Sequence, residues 1–329
     1  MFKQLLVPLD RSPLAEQAIG QAVGIARASH AGVEFVLVNQ PIQFLGVDGT
    51  PMNTAIWKAE DKYIRAIADE AAAGGSVTTT HSVLSGEVVD TICRRASEVD
   101  ADLVVMTSHG RTGFSRAWMG SVADGVLRRS TIPVLMLHPQ STKNGLRRAH
   151  HLFNRILVPL DGSALSIDIL PSATALAQCG HARIYLLQVV QPMPILEVDV
   201  DMALMYPPLT LDEAATTRVT ENAESYLAGV AQTLAKEGMT DVETHVILGG
   251  SVSRAILDFA RGHDVTAIAM ATRGRGASRL LVGSVADKVL RASTLPILLR
   301  RPMVAGEQPF TLDAADVAEQ LPALAHASA

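Results

Sequence analysis

Aromatic residues are scarce in this chain, with Phe, Trp and Tyr making up 4% of 329 residues. Proteins that grip nucleic acid usually stack bases on aromatics along a basic surface. Here the formal charge is −5, so nucleic acid is not an expected partner. Thiols are nearly absent too. Cys93 and Cys179 each lie in a helix-like stretch of one half, with no Cys or His at ligand spacing, and they read as free, reduced cysteines rather than a disulfide or a metal pair. No apolar run approaches the length of a membrane span. A strand-like run at Leu5 to Val7 follows the amino terminus so closely that a signal peptide has no room, and the expected compartment is the cytoplasm. No G-x-x-x-x-G-K-[ST] loop occurs, which removes the P-loop nucleotidases. Beyond Pro302 there is no Lys or Arg, only Glu307, Asp313, Asp316 and Glu319.

What the chain does have, it has twice. Leu5-Leu6-Val7-Pro8-Leu9-Asp10 returns as Ile156-Leu157-Val158-Pro159-Leu160-Asp161, and Gly120-Ser121-Val122-Ala123-Asp124 returns as Gly283-Ser284-Val285-Ala286-Asp287. A period of roughly 150 residues is the size of a domain, not of a solenoid unit. The chain is therefore a tandem duplication, expected as repeats at 1–140 and 154–302, a polar linker at 141–153 with Arg147 and Arg148, and an acidic tail at 303–329. Thr311 could cap a short amphipathic helix in that tail, a docking element; a mobile acidic extension is the plainer reading.

Short continuous apolar runs suit strands buried on both faces of a parallel sheet. In the first half they fall at Leu5–Leu9, Val33–Val38, Ser76–Val83, Leu103–Met106 and Val134–Leu137. In the second they fall at Ile156–Leu160, Ile184–Val190, Val242–Leu248, Ala267–Met270 and Ile297–Leu299. Helically spaced apolar residues separate them. The expected class is α/β, two tandem open parallel five-stranded sheets flanked by helices.

Chemistry concentrates at Met106-Thr107-Ser108-His109-Gly110-Arg111, where a buried strand leaves into a loop that ends at Gly120-Ser121. A helix is expected from Ser121, with Asp124 in the capping-box position. Glycines between a parallel strand and a helix amino terminus admit an anion to the backbone N–H groups, and the helix dipole favours it. Gly110, Gly120 and the Ser121 hydroxyl would line such a pocket, and Arg111 could add a cation. The same glycines could also serve only to permit tight turns. Asp10 and its copy Asp161 end the first strand of each half, beside the crevice where ligands bind in open α/β sheets. Each is placed either to accept from a ligand or to start the next helix, although Ser12 and Pro13 already supply an N-cap and N1 pair.

Together these residues resemble the universal stress protein family in its tandem form, over about Phe2 to Leu137 and Asn154 to Leu299. The resemblance rests on VPLD with a Ser shortly after, on Gly86 and Gly250 ahead of a helix, on MTSHGRTG and GSVADxVLR, and on a Pro before the last strand. It implies a Rossmann-like fold of the adenine nucleotide alpha hydrolase type. It also implies ATP, or another adenine nucleotide, bound with Mg. The family's nucleotide-binding branch carries Gly, two residues, Gly, nine residues, Gly, then Ser or Thr. The first half keeps Gly110, nine residues and Gly120-Ser121 but has Thr107 for the leading Gly; the second has Ala271 there and eight residues between Gly274 and Gly283.

By this resemblance the adenine lies near Pro8, Leu9, Asp10, Val38 and Met106, and the phosphates near Gly110, Gly120, Ser121 and Val122. The matching positions are Pro159, Leu160, Asp161, Val189, Met270, Gly274, Gly283, Ser284 and Val285. His109 is Arg273 in the second copy, which favours a loop-stabilising over a catalytic role. The expected function is an adenine nucleotide-binding regulatory protein of the cellular stress response, with the first site the better one. The alternatives are a nucleotide-free interaction protein and a slow ATP hydrolase. Family members pair through the last strand, so Val134–Leu137 and Ile297–Leu299 are expected to join the halves as a pseudo-dimer, and a homodimer of chains is the further expectation.

Overall fold

The computed structural model describes residues 1–40, 50–73, 75, 77–109, 119–138, 152–191, 213–272 and 283–302. The expected linker lies almost wholly outside these residues, and the acidic tail, Gly110, Arg111 and Gly274 lie outside them entirely. The first half runs β1 (Gln4–Leu9), α1 (Gln17–Ser29), β2 (Gly32–Asn39), α2 (Thr50–Ala72), β3 (Thr78–Ser85), α3 (Val88–Glu98), β4 (Leu103–Thr107), α4 (Ser121–Arg129) and β5 (Val134–Leu137). The second half runs β6 (Arg155–Pro159), α5 (Ala164–Ile167), α6 (Leu170–Gly180), β7 (Arg183–Val190), α7 (Glu213–Lys236), β8 (Val242–Leu248), α8 (Val252–Gly262), β9 (Ala267–Ala271), α9 (Ser284–Ala292) and β10 (Ile297–Arg300).

Each half is an α/β unit with a parallel sheet, in strand order 3-2-1-4-5, and the halves meet edge to edge in one ten-stranded sheet. The joint is antiparallel, with Leu298 opposite Leu135 and Ile297 opposite Met136. Both leucines are fully buried. These short strands carry apolar side chains on both faces, so neither edge is stable in water, and each covers the other. The order reverses direction in sequence where β1 lies between β2 and β4, which opens the crevice at the carboxyl ends of β1 and β4.

Two apolar layers run unbroken across both halves. On one face α1, α2, α6 and α7 bury Ile25, Ile64, Leu176 and Leu227. On the other, α3, α4, α8 and α9 bury Ile92, Val126, Phe259 and Val289. The third strand begins at Thr78, later than the apolar run suggests, because register against β2 pairs Gly32 with Thr78. This outer strand has the half-exposed pattern of an edge, so its polar residues extend it to Ser85 where apolar spacing stops at Val83.

Candidate functional site

The crevice of the first half holds a cavity of about 590 Å³, within the range of about 300–1,000 Å³ usual for small-molecule sites. It gathers Pro8, Leu9, Asp10, Val38, Met106, Gly120, Ser121 and Val122 from four separate elements. These are all of the expected first-half residues that the structure describes. Apolar walls come from Val36, Val38 and Met106 on the strands and from Val88 and Ile92 on α3.

The amino terminus of α4 lines the cavity. Gly120, not Ser121, is the cap residue: its carbonyl accepts the first helical bond, from Asp124 N at 3.0 Å. Ser121 is therefore the first helical residue and exposed, and its side chain makes no cap bond. Asp124 does not close a capping box either. It lies a residue too far along and pairs instead with Arg128 Nε at 2.7 Å, one turn on. The cap carries no side chain, so Ser121, Val122 and Ala123 bring their unpaired amino-terminal N–H groups to the cavity wall. The backbone does not demand glycine at position 120, where φ is −68° and ψ 150°. A β-carbon there would meet Ser108 O at 3.4 Å, an ordinary contact.

The loop before α4 is pinned at both ends. Gly120 N donates to Ser108 O at 2.8 Å. Thr107 Oγ1 donates to the His109 carbonyl at 2.7 Å, and Ser108 Oγ lies 3.1 Å from His109 Nδ1. Thr107 thus replaces a glycine without strain, since it ends β4 and is not among the residues of positive φ. Ala271 ends β9 in the same way. In the second half Gly283 N donates to Thr272 O at 2.5 Å, the equivalent closure, so the one-residue deletion leaves the helix start where it was.

Asp10 and Asp161 both have a local duty that the Ser12-Pro13 pattern concealed. Asp10 Oδ1 accepts from Ser12 N, and Asp161 Oδ1 from Ser163 N, each at 2.9 Å. Ser12 Oγ in turn accepts from Ala15 N at 3.1 Å, but this caps a turn, and α1 proper starts only at Gln17. A carboxylate offers about four lone-pair sites, so holding a turn does not exhaust it. Pro159, Val189 and Met270 lie on β6, β7 and β9, Leu160 and Asp161 directly follow β6, and Gly283, Ser284 and Val285 open α9; the first-half copies stand alike, save that Leu9 still belongs to β1.

Sequence patterns missed Arg11, Asn39 and Glu60, which also line the first cavity. Glu60 is 5% exposed and its Oε2 accepts from Asn39 Nδ2 at 2.6 Å. One signal was present: Glu60 stands on the apolar stripe of α2, in step with the buried Ile64, Ile67 and Ala68, where a charge is out of place. Nearby, burial and the charge of His109 hold the His138 imidazole below its usual range. Among the described residues no three His, Cys, Asp or Glu side chains gather as a metal site, and no helix is long and apolar enough to cross a membrane.

Comparison with known proteins gives one consistent result. The family model described as the universal stress protein family matches residues 1–138 and again 152–301. A universal stress protein of Methanocaldococcus jannaschii is 28% identical over 144 residues, 42% of this chain and 82% of its own length. One from Mycobacterium bovis is 26% identical over 248 residues, 72% of this chain and 75% of its own. The crystal structure of a universal stress protein from Archaeoglobus fulgidus superposes with a TM-score of 0.64 at 19% identity, covering 91% of this chain and 98% of that one, a likeness of fold.

Proposed function

The chain belongs to the universal stress protein family, and from that premise we propose that it is an adenine nucleotide-binding regulatory protein of the stress response, with ATP held in the first-half cavity. One observation carries the reading: a cavity of about 590 Å³ at the strand-order switch point combines apolar walls with the carboxylates of Asp10 and Glu60 and the amino end of α4. That combination suits a nucleotide. The base meets the apolar walls and the strand ends, and the phosphates meet the unpaired N–H groups of Ser121, Val122 and Ala123. Gly120 supports it further, because a glycine that the backbone does not require leaves room for close approach of an anion.

A magnesium ion would enter on the phosphates, since the described residues supply no carboxylate cluster to hold one. The same reading assigns 1–140 and 154–302 to the two repeats, 141–153 to the linker and 303–329 to an acidic tail. It places a second, weaker site at Asp161, Val189, Met270 and Gly283 to Val285. Equilibrium dialysis of the full chain against millimolar ATP with Mg tests the proposal. Uptake of one nucleotide per chain, rising toward two, is expected; no uptake sinks it, and accumulation of ADP during dialysis would instead favour a hydrolase.

A further inference from the structure

Three polar side chains meet where the first cavity runs beneath α2. Glu60 takes the Asn39 hydrogen bond on Oε2, while its Oε1 faces Arg11 Nη1 at 3.8 Å, too long for a direct hydrogen bond. Arg11 adopts a left-handed φ of 67° to stand there, a conformation that a β-carbon makes costly. Burying a carboxylate with so little compensation is itself unfavourable.

The second repeat serves as an internal control. Sheet register sets Val190 at the place of Asn39. Gly162 follows Asp161 as Arg11 follows Asp10, and takes its left-handed turn with φ 78°. On the helices, buried Leu227 and Val230 match Ile64 and Ile67, which sets Ala223, 3% exposed, at the place of Glu60. Arg, Asn and Glu are thus replaced together by Gly, Val and Ala. A requirement of the fold would be met in both copies, and this one is met in a single copy.

We propose that Glu60, steadied by Asn39 and Arg11, recognises a hydrogen-bond donor on the ligand of the first cavity, and that the second repeat has no such recognition. The inference rests on the nucleotide reading above. A carboxylate only accepts, and this one lines the same cavity as the start of α4, so a phosphate bound at α4 leaves the donor-bearing part of the ligand for Glu60. On an adenine nucleotide the donors are the 6-amino group and the ribose hydroxyls. Where the 6-amino group is the donor, a 6-oxo purine would set an acceptor against the Glu60 carboxylate and lose that hydrogen bond.

Calorimetric titration of the full chain with ATP, ITP, 2′-deoxy-ATP and 3′-deoxy-ATP tests this, the first site being the one that a Gly120→Leu variant loses. Wild type is expected to bind at least one analogue about tenfold to a hundredfold more weakly than ATP, and the weakened analogue identifies the donor. Glu60→Ala, the residue that the second repeat carries, is expected to flatten that ranking. If E60A does not fold, Glu60→Gln keeps an acceptor for Asn39, loses the charge, and is expected to narrow the same preference. A flat ranking in the wild type, or a ranking that survives both variants, overturns the role of Glu60 and leaves nucleotide binding intact. Absence of ATP binding in the wild type overturns both.

Discussion

Arg95 sets two nitrogens on one oxygen of Glu34, with Nη2 at 2.8 Å and Nε at 3.0 Å from Oε1. Glu34 is 2% exposed and also accepts from Ser82 Oγ at 2.5 Å. The second repeat fills the same place with rings. Register and helix position set Tyr185, His245 and Phe259 where Glu34, Ser82 and Arg95 stand, and their rings pack with centroids 4.9–5.8 Å apart. One fold thus carries a buried ion pair and an aromatic cluster at equivalent sites.

Breaking the pair from one side leaves a buried charge unmatched. Arg95→Leu is expected to destabilise the protein by about 3 kcal/mol, the low end for such a break because Arg95 is partly exposed. Transplanting the rings of these three positions, Glu34→Tyr with Ser82→His and Arg95→Phe, is expected to recover most of that loss. Urea denaturation of the two variants checks it; equal loss in both would mean that the charge is not the cause.

At Gly120 the backbone and the proposed ligand make different demands. Gly120→Ala is expected to melt within about 1 kcal/mol of wild type, its dihedrals being open to any residue, and to lower ATP affinity about tenfold by crowding the anion at α4. Thermal melting and dialysis on the same sample separate the two effects. Unchanged affinity would argue against phosphates at this helix.

A different glycine is needed for space alone. A β-carbon at Gly180 would lie 2.1 Å from the Phe153 carbonyl oxygen, so Gly180→Ala is expected to cost about 3 kcal/mol, as overpacking against the backbone does. Gly229, within α7 and with nothing near its β-carbon position, is the control, and Gly229→Ala is expected to stabilise by about 1 kcal/mol. Denaturation midpoints of the two variants should move in opposite directions.

Cys93 is held as a thiol, its pKa pushed up to about 11 by burial and then by the Asp90 charge. Alkylation at pH 8 is expected to run about a hundredfold more slowly than for a free cysteine, because only the thiolate attacks. The rate should rise with pH until it levels near pH 11. The buried thiol's contribution to stability is whole below the unfolded thiol's pKa and is lost as pH climbs through the raised one. Peptide mass mapping of iodoacetamide adducts reads the rate, and fast labelling at pH 8 would contradict it.

Much of the first-half cavity was legible because its residues are local. Pro8 to Asp10, Met106 to His109 and Gly120 to Val122 each sit at the end of a strand or the start of a helix, and turn chemistry marks such places in a single stretch of chain. Arg11, Asn39 and Glu60 were not legible as a group. They are far apart in sequence, and only the pairing of β1 with β2 and the packing of α2 against β2 and β3 bring them within reach. The cap was misread for a related reason. Ser and Asp at capping spacing are favourable, but the first helical bond went to the Gly120 carbonyl, and that choice depends on where β4 and the loop deliver the chain.

The sequence by itself determined the duplication, the α/β alternation, the apolar edges of β5 and β10 and the position of the glycine-to-helix turns, because periodicity and backbone preference act over a few residues. Only the tertiary structure decided that the joint between the two halves is antiparallel, that Asp10 and Asp161 each hold a turn, and that Glu60 lines the first-half cavity where the second repeat buries Ala223. Those outcomes depend on burial and on partners distant in sequence, and the energy of a buried carboxylate is set by what surrounds it, not by its neighbours along the chain.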